Sequence, residues 1–166
     1  MSRSSKLAPR QQPYWLLSID PAKAAGWALF EDGKLLRWGA ADGSTWRTLN
    51  ASLAEVAKLV TTFSNCVKKC CIEEAYPTWG KQSFRGTCTL GRRRGLAQAA
   101  AESAGFDDFS FVMPSEWQGP MGWRKGQDSK EWSLELCRSR YGIVGITHDV
   151  SDAILLGQHM LDSYLV

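Results

Sequence analysis

The opening part of the chain contains three short apolar segments separated by only a few turn residues, and this spacing constrains the fold more than any other feature. Residues 14–20, 25–30 and 34–39 have the length and apolar content of strands. The Asp32-Gly33 dipeptide between the second and third segments is a strong signal for a tight hairpin. Because strands joined by such short turns pair antiparallel, the chain is predicted to begin with three antiparallel strands.

The rest of the chain alternates helical and strand patterns. Strands that are joined through helices become parallel neighbours by right-handed crossovers. The sequence therefore predicts an α/β fold with a mixed five-stranded sheet, in which three antiparallel strands are followed by parallel strands, flanked by helices. The predicted segments, in chain order, are a helix at 45–63 with Ser44 as its N-cap, a strand at 67–73, a loop at 76–89, a helix at 90–104, a strand at 109–113, a glycine-rich loop at 119–126, and helices at 129–141 and 149–165.

Composition narrows the class of protein. The chain has 166 residues, 44% of them hydrophobic and 22% charged, which is ordinary for one globular domain. We expect a flexible basic tail over residues 1–13, which lack the apolar core of a secretory signal, and a single domain over 14–166. No apolar stretch approaches the ~20 residues of a membrane span. Five cysteines, an odd number, suit a reducing cytoplasm, either bacterial or that of an infected host cell if the chain is phage-encoded.

Four acidic residues stand where predicted strands end or a helix begins. Asp20 and Glu73 end the first and fourth predicted strands, while Asp149 and Asp152 lie three apart at the start of the last helix. Residues three apart share one helix face, and the first and fourth strands can be neighbours. A buried carboxylate is costly unless it is hydrogen-bonded or holds a cation. We therefore expect the four carboxylates to converge and to bind a hard divalent cation such as Mg²⁺.

Each of these residues also has a simpler interpretation. Asp20 can be a turn residue ahead of Pro21, and Glu73 can be an exposed strand end. Asp149 and Asp152 both suit a helix start, one as N-cap and both as charges near the positive end of the dipole.

The sequence does not decide the roles of two neighbours of these acids, Glu74 and His148. Strand alternation directs Glu74 away from the site if Glu73 points into it. His148 can assist proton transfer, bind metal, or serve only as a neighbour of the helix cap.

Several motifs in chain order resemble the RuvC family of Holliday junction resolvases, which have a ribonuclease-H-like fold. The matches span residues 18 to 153 and cover most of the chain. The matching motifs are Ser18-Ile19-Asp20-Pro21 with the later Gly26-Trp27-Ala28, Ile72-Glu73, Leu90-Gly91-Arg92-Arg93-Arg94-Gly95, Lys130-Glu131, and Asp149-Val150-Ser151-Asp152-Ala153.

The resemblance implies a homodimeric endonuclease that resolves four-way DNA junctions by paired symmetric nicks. The four acids would be the catalytic metal ligands for two Mg²⁺ ions per site, for which Mn²⁺ can substitute, and Lys130 would neutralise the phosphate. The same resemblance and the pattern of basic residues predict two kinds of DNA contact. Tyr76 would stack on a base, and the basic contacts would come from Arg85, Arg92, Arg94, Lys125 and Lys130.

Structural interpretations of the DNA contacts stay open, since Tyr76 can pack under its loop and Arg94 can be structural. The chain also departs from the family pattern. Ala22 replaces a glycine, and Trp117-Gln118 stands near a Val-Lys pair of bacterial members. The alternative functions are a less selective flap or replication-fork nuclease, an ATPase of the sugar-kinase or chaperone type, and a catalytically silent DNA-binding protein.

Overall fold

The computed structural model describes residues 13–63, 66–74 and 84–164. None of the helices in these ranges is both long and apolar enough to span a membrane. Within the described residues the elements are β1 (Tyr14–Asp20), β2 (Ala24–Glu31), β3 (Lys34–Asp42), α1 (Trp46–Ser52), α2 (Ala54–Thr61), β4 (Val67–Glu73), α3 (Phe84–Ser103), β5 (Asp108–Val112), α4 (Pro114–Trp117), α5 (Ser129–Tyr141) and α6 (His148–Tyr164).

The five strands form one sheet in the order β3-β2-β1-β4-β5. β1 pairs antiparallel with β2, and β2 pairs antiparallel with β3. β4 pairs parallel with β1, and β5 pairs parallel with β4. The predicted mixed sheet, antiparallel first and parallel after, is therefore confirmed.

The hairpin between β2 and β3 has the geometry that its sequence predicts. Asp32 and Gly33 both adopt left-handed backbone conformations, with φ of 47° and 80°. Two consecutive left-handed residues define the turn whose twist matches that of paired strands, which explains the Asp-Gly pair. The Asp32 carboxylate also accepts a hydrogen bond of 2.8 Å from the backbone N–H of Tyr14.

Strand alternation divides the core into two layers, one on each face of the sheet. Trp15, Leu17 and Ile19 of β1 lie in the layer that α1, α2 and α3 cover. Leu16 lies in the opposite layer, which α4, α5 and α6 cover. Because side chains alternate between faces, Asp20 belongs to the same face as Leu16, where α6 packs.

Two glycines allow α6 to lie directly on the sheet. A Cβ atom on Gly26 would stand 2.0 Å from the backbone oxygen of Asp149, and one on Gly157 would stand 2.3 Å from Cε2 of Phe30. Between these points the hydroxyl of Ser18 donates a hydrogen bond of 2.7 Å to the backbone oxygen of Ala153. These contacts fix the start of α6 against the carboxyl end of β1.

Apart from shifts of one residue at the end of α3 and the start of α6, the helices differ from the predictions in three places. The segment predicted as one helix at 45–63 forms two, α1 and α2, because the backbone at Leu53 (φ −88°, ψ 2°) leaves the helical region. The N-cap of α1 is Thr45 rather than Ser44, since the Thr45 hydroxyl accepts the N–H of Thr48. α3 begins at Phe84, inside the predicted loop.

Three further features bear on the predictions: a helix that was not predicted, the basic tail, and the alanine face of α3. The four-residue helix α4 was not predicted, because a single turn has too few residues to show a period. Residues 1–12 of the predicted tail lie outside the described residues. The alanines of α3, at positions 97, 100, 101 and 104, are buried in the core beneath α3, so this face packs within the chain.

Alanine at Gly26 is expected to destabilise the protein by about 3 kcal/mol or more, because its Cβ meets backbone atoms of α6 that cannot rotate away. Gly95 provides a matched control. It lies in α3, where an added Cβ atom would meet nothing within 4 Å, so Gly95→Ala should stabilise by roughly 0.5–1 kcal/mol through helix propensity. Urea unfolding of both variants measures the two changes, and equal midpoints would contradict the contact between α6 and β2.

Candidate metal centre

The first two acidic residues lie side by side at one edge of the sheet. Asp20 and Glu73 are the last residues of β1 and β4, and the parallel register pairs Ile19 with Ile72 immediately before them. Glu73 lies on the same face of its strand as Cys71, which belongs to the core layer beneath α6. Both carboxylates therefore belong to the face on which α6 packs.

The other two acidic residues come from the start of α6. Asp149 and Asp152 lie in its opening turns, and the contact of Asp149 with Gly26 brings this helix end onto the strands. Asp20 is only 9% exposed and Asp149 only 8% exposed. The four carboxylates that the sequence predicted to converge thus lie at one end of the sheet, with Asp20 and Asp149 buried and Glu73 and Asp152 partly exposed.

Burial and mutual repulsion make these carboxylates hard to ionise. Burial raises the pKa of Asp20 well above its usual value, and repulsion from the other three carboxylates raises it further. Burial likewise raises the pKa of Glu73 to about 7, with repulsion from Asp152 and Asp149 adding to the effect. Burial raises the pKa of Asp152 to about 6. Since one carboxylate raises the pKa of another only at short range, these shifts express the convergence of the four side chains.

Neighbouring groups lower the pKa of Glu73 and Asp152 and so offset part of the cost of burying these carboxylates. The indole N–H of Trp117 donates a hydrogen bond of 2.8 Å to Oε2 of Glu73 and lowers its pKa. A hydrogen bond with Ser133 and the charges of His148 and Lys130 act in the same direction on the pKa of Asp152. The Ser133 hydroxyl also lies 2.9 Å from that of Ser151, which ties α5 to α6.

His148 is placed beside the cluster rather than within its core. Its Nε2 atom lies 3.1 Å from Oδ1 of Asp149, and its side chain is 36% exposed. This position leaves the proton-transfer, metal-binding and cap-neighbour interpretations of His148 open.

The donor set fits a hard cation. All four converging groups are carboxylates, and oxygen ligands are those that Mg²⁺ prefers. A cation would also relieve the repulsion that raises their pKa values. Among the described residues, no three His, Cys, Asp or Glu side chains already stand in an arrangement that would hold a metal ion.

A cavity of about 360 Å³ opens beside Asp20 and Glu73. It has an acidic floor formed by these two residues with Glu74, and a wall formed by α3 that carries Arg93 and Arg94. Opposite charges thus line one cleft, which suits a ligand that combines a cation with an anionic group such as phosphate.

The three consecutive arginines of α3 occupy different environments, as helical geometry requires. Arg92 is exposed. Arg93 lines the cavity and forms no ion pair with any described residue. Arg94 forms an ion pair with Glu74, and its guanidinium lies 3.8 Å from the centre of the Phe111 ring. The structural role that the sequence left open for Arg94 is therefore the one its contacts favour.

The remaining predicted site residues lie around this centre. Lys130 begins α5 and is close enough to lower the pKa of Asp152. Arg85 and Lys125 are exposed, in the first turn of α3 and in the loop ahead of α5, and neither lines the cavity. Tyr76 lies outside the described residues.

Three residues of this centre were not predicted from the sequence. Trp117 was noted only as a departure from the family pattern, Ser133 was not considered, and Arg93 was named only as part of the motif at 90–95, without a role of its own. No local pattern identifies them, because each acts through contacts with residues distant along the chain.

The fold is similar to that of known proteins, although the sequence is not. No protein-family model and no curated protein matches the chain. The structure of RuvC from Thermus thermophilus in complex with Holliday junction substrate is 15% identical, with a TM-score of 0.59, over 88% of this chain and 91% of that one. A second structure of Thermus thermophilus RuvC is 16% identical, with a TM-score of 0.56, over 87% and 92%. The yeast mitochondrial Holliday junction resolvase Ydc2 is 14% identical, with a TM-score of 0.47, over 90% and 80%.

At such identities the two Thermus structures establish one point, which is that this chain has a RuvC-like fold. The order of strands and helices on which the predicted fold rests is thereby confirmed.

Asp20→Asn is expected to stabilise the protein when divalent cations are removed. Because burial and repulsion raise the pKa of Asp20 in the folded protein, this carboxyl group destabilises the fold at about pH 8 in EDTA, and its replacement should raise the free energy of unfolding by about 1–3 kcal/mol and the melting temperature by roughly 2–10 °C. Added Mg²⁺ should stabilise the natural protein more than the variant. Asp107→Asn, at an exposed position, is the control and should melt with the natural protein in both conditions. A lower melting temperature for Asp20→Asn in EDTA would show that the carboxylates do not repel one another.

Proposed function

We propose that the chain is a divalent-metal-dependent endonuclease that cuts branched DNA, with four-way junctions as its main substrate. The observation that carries this proposal is the buried cluster of Asp20, Glu73, Asp149 and Asp152 at the end of β1 and β4. Such a cluster destabilises a fold unless a ligand uses it, and a protein of similar fold is known in complex with Holliday junction substrate.

The four carboxylates are proposed to hold two Mg²⁺ ions, with Mn²⁺ able to replace them. Bound Mg²⁺ would supply Lewis acidity, which generates a nucleophilic water and offsets charge on the leaving oxygen. The chain's own part is to gather the ligands, to exclude bulk water from Asp20 and Asp149, and to position the phosphate. Burial raises the pKa of the nearby Cys70 and Cys71 thiols, so neither provides a thiolate nucleophile.

Basic residues around the centre are proposed to contact the phosphates. Lys130 is close enough to lower the pKa of Asp152, and it would neutralise charge on the scissile phosphate. The exposed side chains of Arg85, Arg92 and Lys125 are proposed contacts with the DNA backbone farther from the cut. Arg94 is engaged with Glu74, so we propose that Arg93 makes the contact within the cleft. Tyr76 is kept as a proposed stacking residue.

A homodimer is proposed because a four-way junction is resolved by two symmetric nicks. A two-fold dimer presents two identical sites, related in the same way as the two strands to be cut. The buried alanine face of α3 is unavailable for this contact, so the interface would have to use another surface. The reducing cytoplasm expected from the sequence is also proposed, and the free thiols of all five cysteines suit it.

A less selective flap or fork nuclease is the second candidate. It is favoured by Trp117-Gln118, which stands near the place where bacterial members carry a Val-Lys pair, with Trp117 fully buried beside Glu73. The lysine of that pair, which could contact the scissile phosphate, therefore has no counterpart here.

Asp149→Asn should abolish cleavage while leaving junction binding intact. Loss of one ligand charge is expected to raise the barrier by about 4 kcal/mol, a slowing of roughly a thousandfold, whereas binding depends on basic residues elsewhere. The measurement compares nicking of a synthetic four-way junction, a Y-shaped fork and a linear duplex with Mg²⁺ or Mn²⁺, alongside ATP hydrolysis. Asp162→Asn is the control, because it makes the same change at an exposed position on the same helix.

Three outcomes of this assay would reject parts of the proposal. Cleavage at the natural rate by Asp149→Asn would remove that residue from the metal centre. Equal cleavage of fork and junction would favour the second candidate. ATP turnover without DNA scission would favour an ATPase.

Arg93→Gln is expected to affect DNA binding, whereas Arg94→Gln is expected to affect stability. Arg93→Gln is expected to weaken junction binding and to reduce the slope of log Kd against log salt by about 1, with little change in stability. Arg94→Gln should lower the free energy of unfolding by about 1 kcal/mol, because it loses Glu74 and the face of Phe111. Arg140→Gln, at the far end of α5 from Lys130, controls for net charge. Identical salt slopes for Arg93→Gln and Arg140→Gln would contradict the phosphate contact.

A further inference from the structure

Trp117 occupies an unusual place for a large aromatic residue. It is the last residue of α4, a single helical turn, and its side chain is 0% exposed. Two hydrogen bonds secure this turn: the Glu116 carboxylate accepts the backbone N–H of Met113 at 2.6 Å, and the backbone oxygen of Pro114 accepts the N–H of Gln118 at 2.9 Å. The position of the indole is therefore fixed by its backbone as well as by its packing.

The polar atom of this indole faces a candidate metal ligand. Nε1–H donates to Oε2 of Glu73 at 2.8 Å, across 44 positions of the sequence. An indole nitrogen donates and never accepts, so the contact requires a carboxylate oxygen at that point and holds the carboxyl group in one orientation. With Oε2 engaged in this way, Oε1 of Glu73 is the oxygen left for another partner.

The residues around Trp117 connect its indole to the elements that carry the other candidate metal ligands. Its rings lie 6.0 Å from those of Trp132, on α5. The next residue of α5, Ser133, contacts Ser151 of α6 at 2.9 Å. One packed unit thus links Glu73 on the sheet to the helix that carries Asp149 and Asp152.

We propose that Trp117 is a positioning residue, whose indole N–H orients the Glu73 carboxylate for metal binding. The inference rests on the proposed metal centre and adds a role for a residue that touches neither phosphate nor metal. Groups that hydrogen-bond to a metal ligand commonly change metal affinity 10–100-fold when they are removed. A purely structural tryptophan would contribute packing but would leave the affinity for Mg²⁺ unchanged.

The first experiment observes the hydrogen bond itself by ¹H–¹⁵N NMR. The chain has eight tryptophans, and the indole cross-peak that disappears in Trp117→Phe belongs to Trp117. This peak should shift in Glu73→Gln and should shift again when Mg²⁺ is titrated into the natural protein. An indole peak that Glu73→Gln leaves in place would overturn the proposal, even if Trp117→Phe fails to fold and the assignment comes from sequential methods.

The second experiment measures Mg²⁺ affinity by calorimetry, without DNA. Trp117→Phe keeps an aromatic ring in the core and removes the N–H, and it should weaken Mg²⁺ binding roughly 10-fold or more. Trp132→Phe is the matched control, since it makes the same change in the neighbouring ring and leaves the bond to Glu73 in place. Equal affinities for the two folded variants would reject the positioning role.

These results separate this inference from the proposed function. If the natural protein binds no Mg²⁺, the metal centre and with it the positioning role are both rejected, whatever the indole peak does. If it binds Mg²⁺ but Trp117→Phe binds equally well, the centre stands and only the role of Trp117 is lost.

Discussion

The close packing of α6 on the sheet is the contact on which the site depends. Backbone atoms of Asp149 lie where a side chain on Gly26 would have to be, and Ser18 donates to the backbone of Ala153 one turn later. This approach places two carboxylates from the helix above two from the strands, buries Asp20 and Asp149 and leaves Glu73 and Asp152 only partly exposed. A looser helix would leave the same residues solvated, and their mutual repulsion would then be weak because water screens it.

Such a cluster opposes folding, and the surrounding residues show how the cost is limited. Desolvation and repulsion raise the pKa values of Asp20, Glu73 and Asp152, while Trp117 and Ser133 supply hydrogen bonds to two of them. No cause that lowers the pKa acts on Asp20. Of these three carboxylates Asp20 is therefore the least compensated, and a cation bound beside it would relieve repulsion that no neighbouring group offsets.

The sequence predicted much of this arrangement because its signals are local. Each strand is a short apolar segment with a turn signal, and the four acids stand at predicted ends of elements, so the sheet and the convergence follow from order and alternation. The sequence could not show the break at Leu53, the single turn α4 or the bond from Trp117 to Glu73. These features depend on contacts between distant segments, which leave no period in the sequence.

Backbone geometry also explains why adjacent residues of like charge near the centre, Glu73 with Glu74 and Arg93 with Arg94, make different contacts. Glu73 ends β4 on the face of α6, so the following residue, Glu74, is directed towards α3, where Arg94 meets it. Successive residues of a helix are rotated by about 100°, so both arginines border the cavity but only Arg94 contacts Glu74 and Phe111. One glutamate and one arginine thus stabilise the fold by pairing with each other. Their neighbours are left facing a common cleft with opposite charges, which is the combination that a metal-bound phosphate requires.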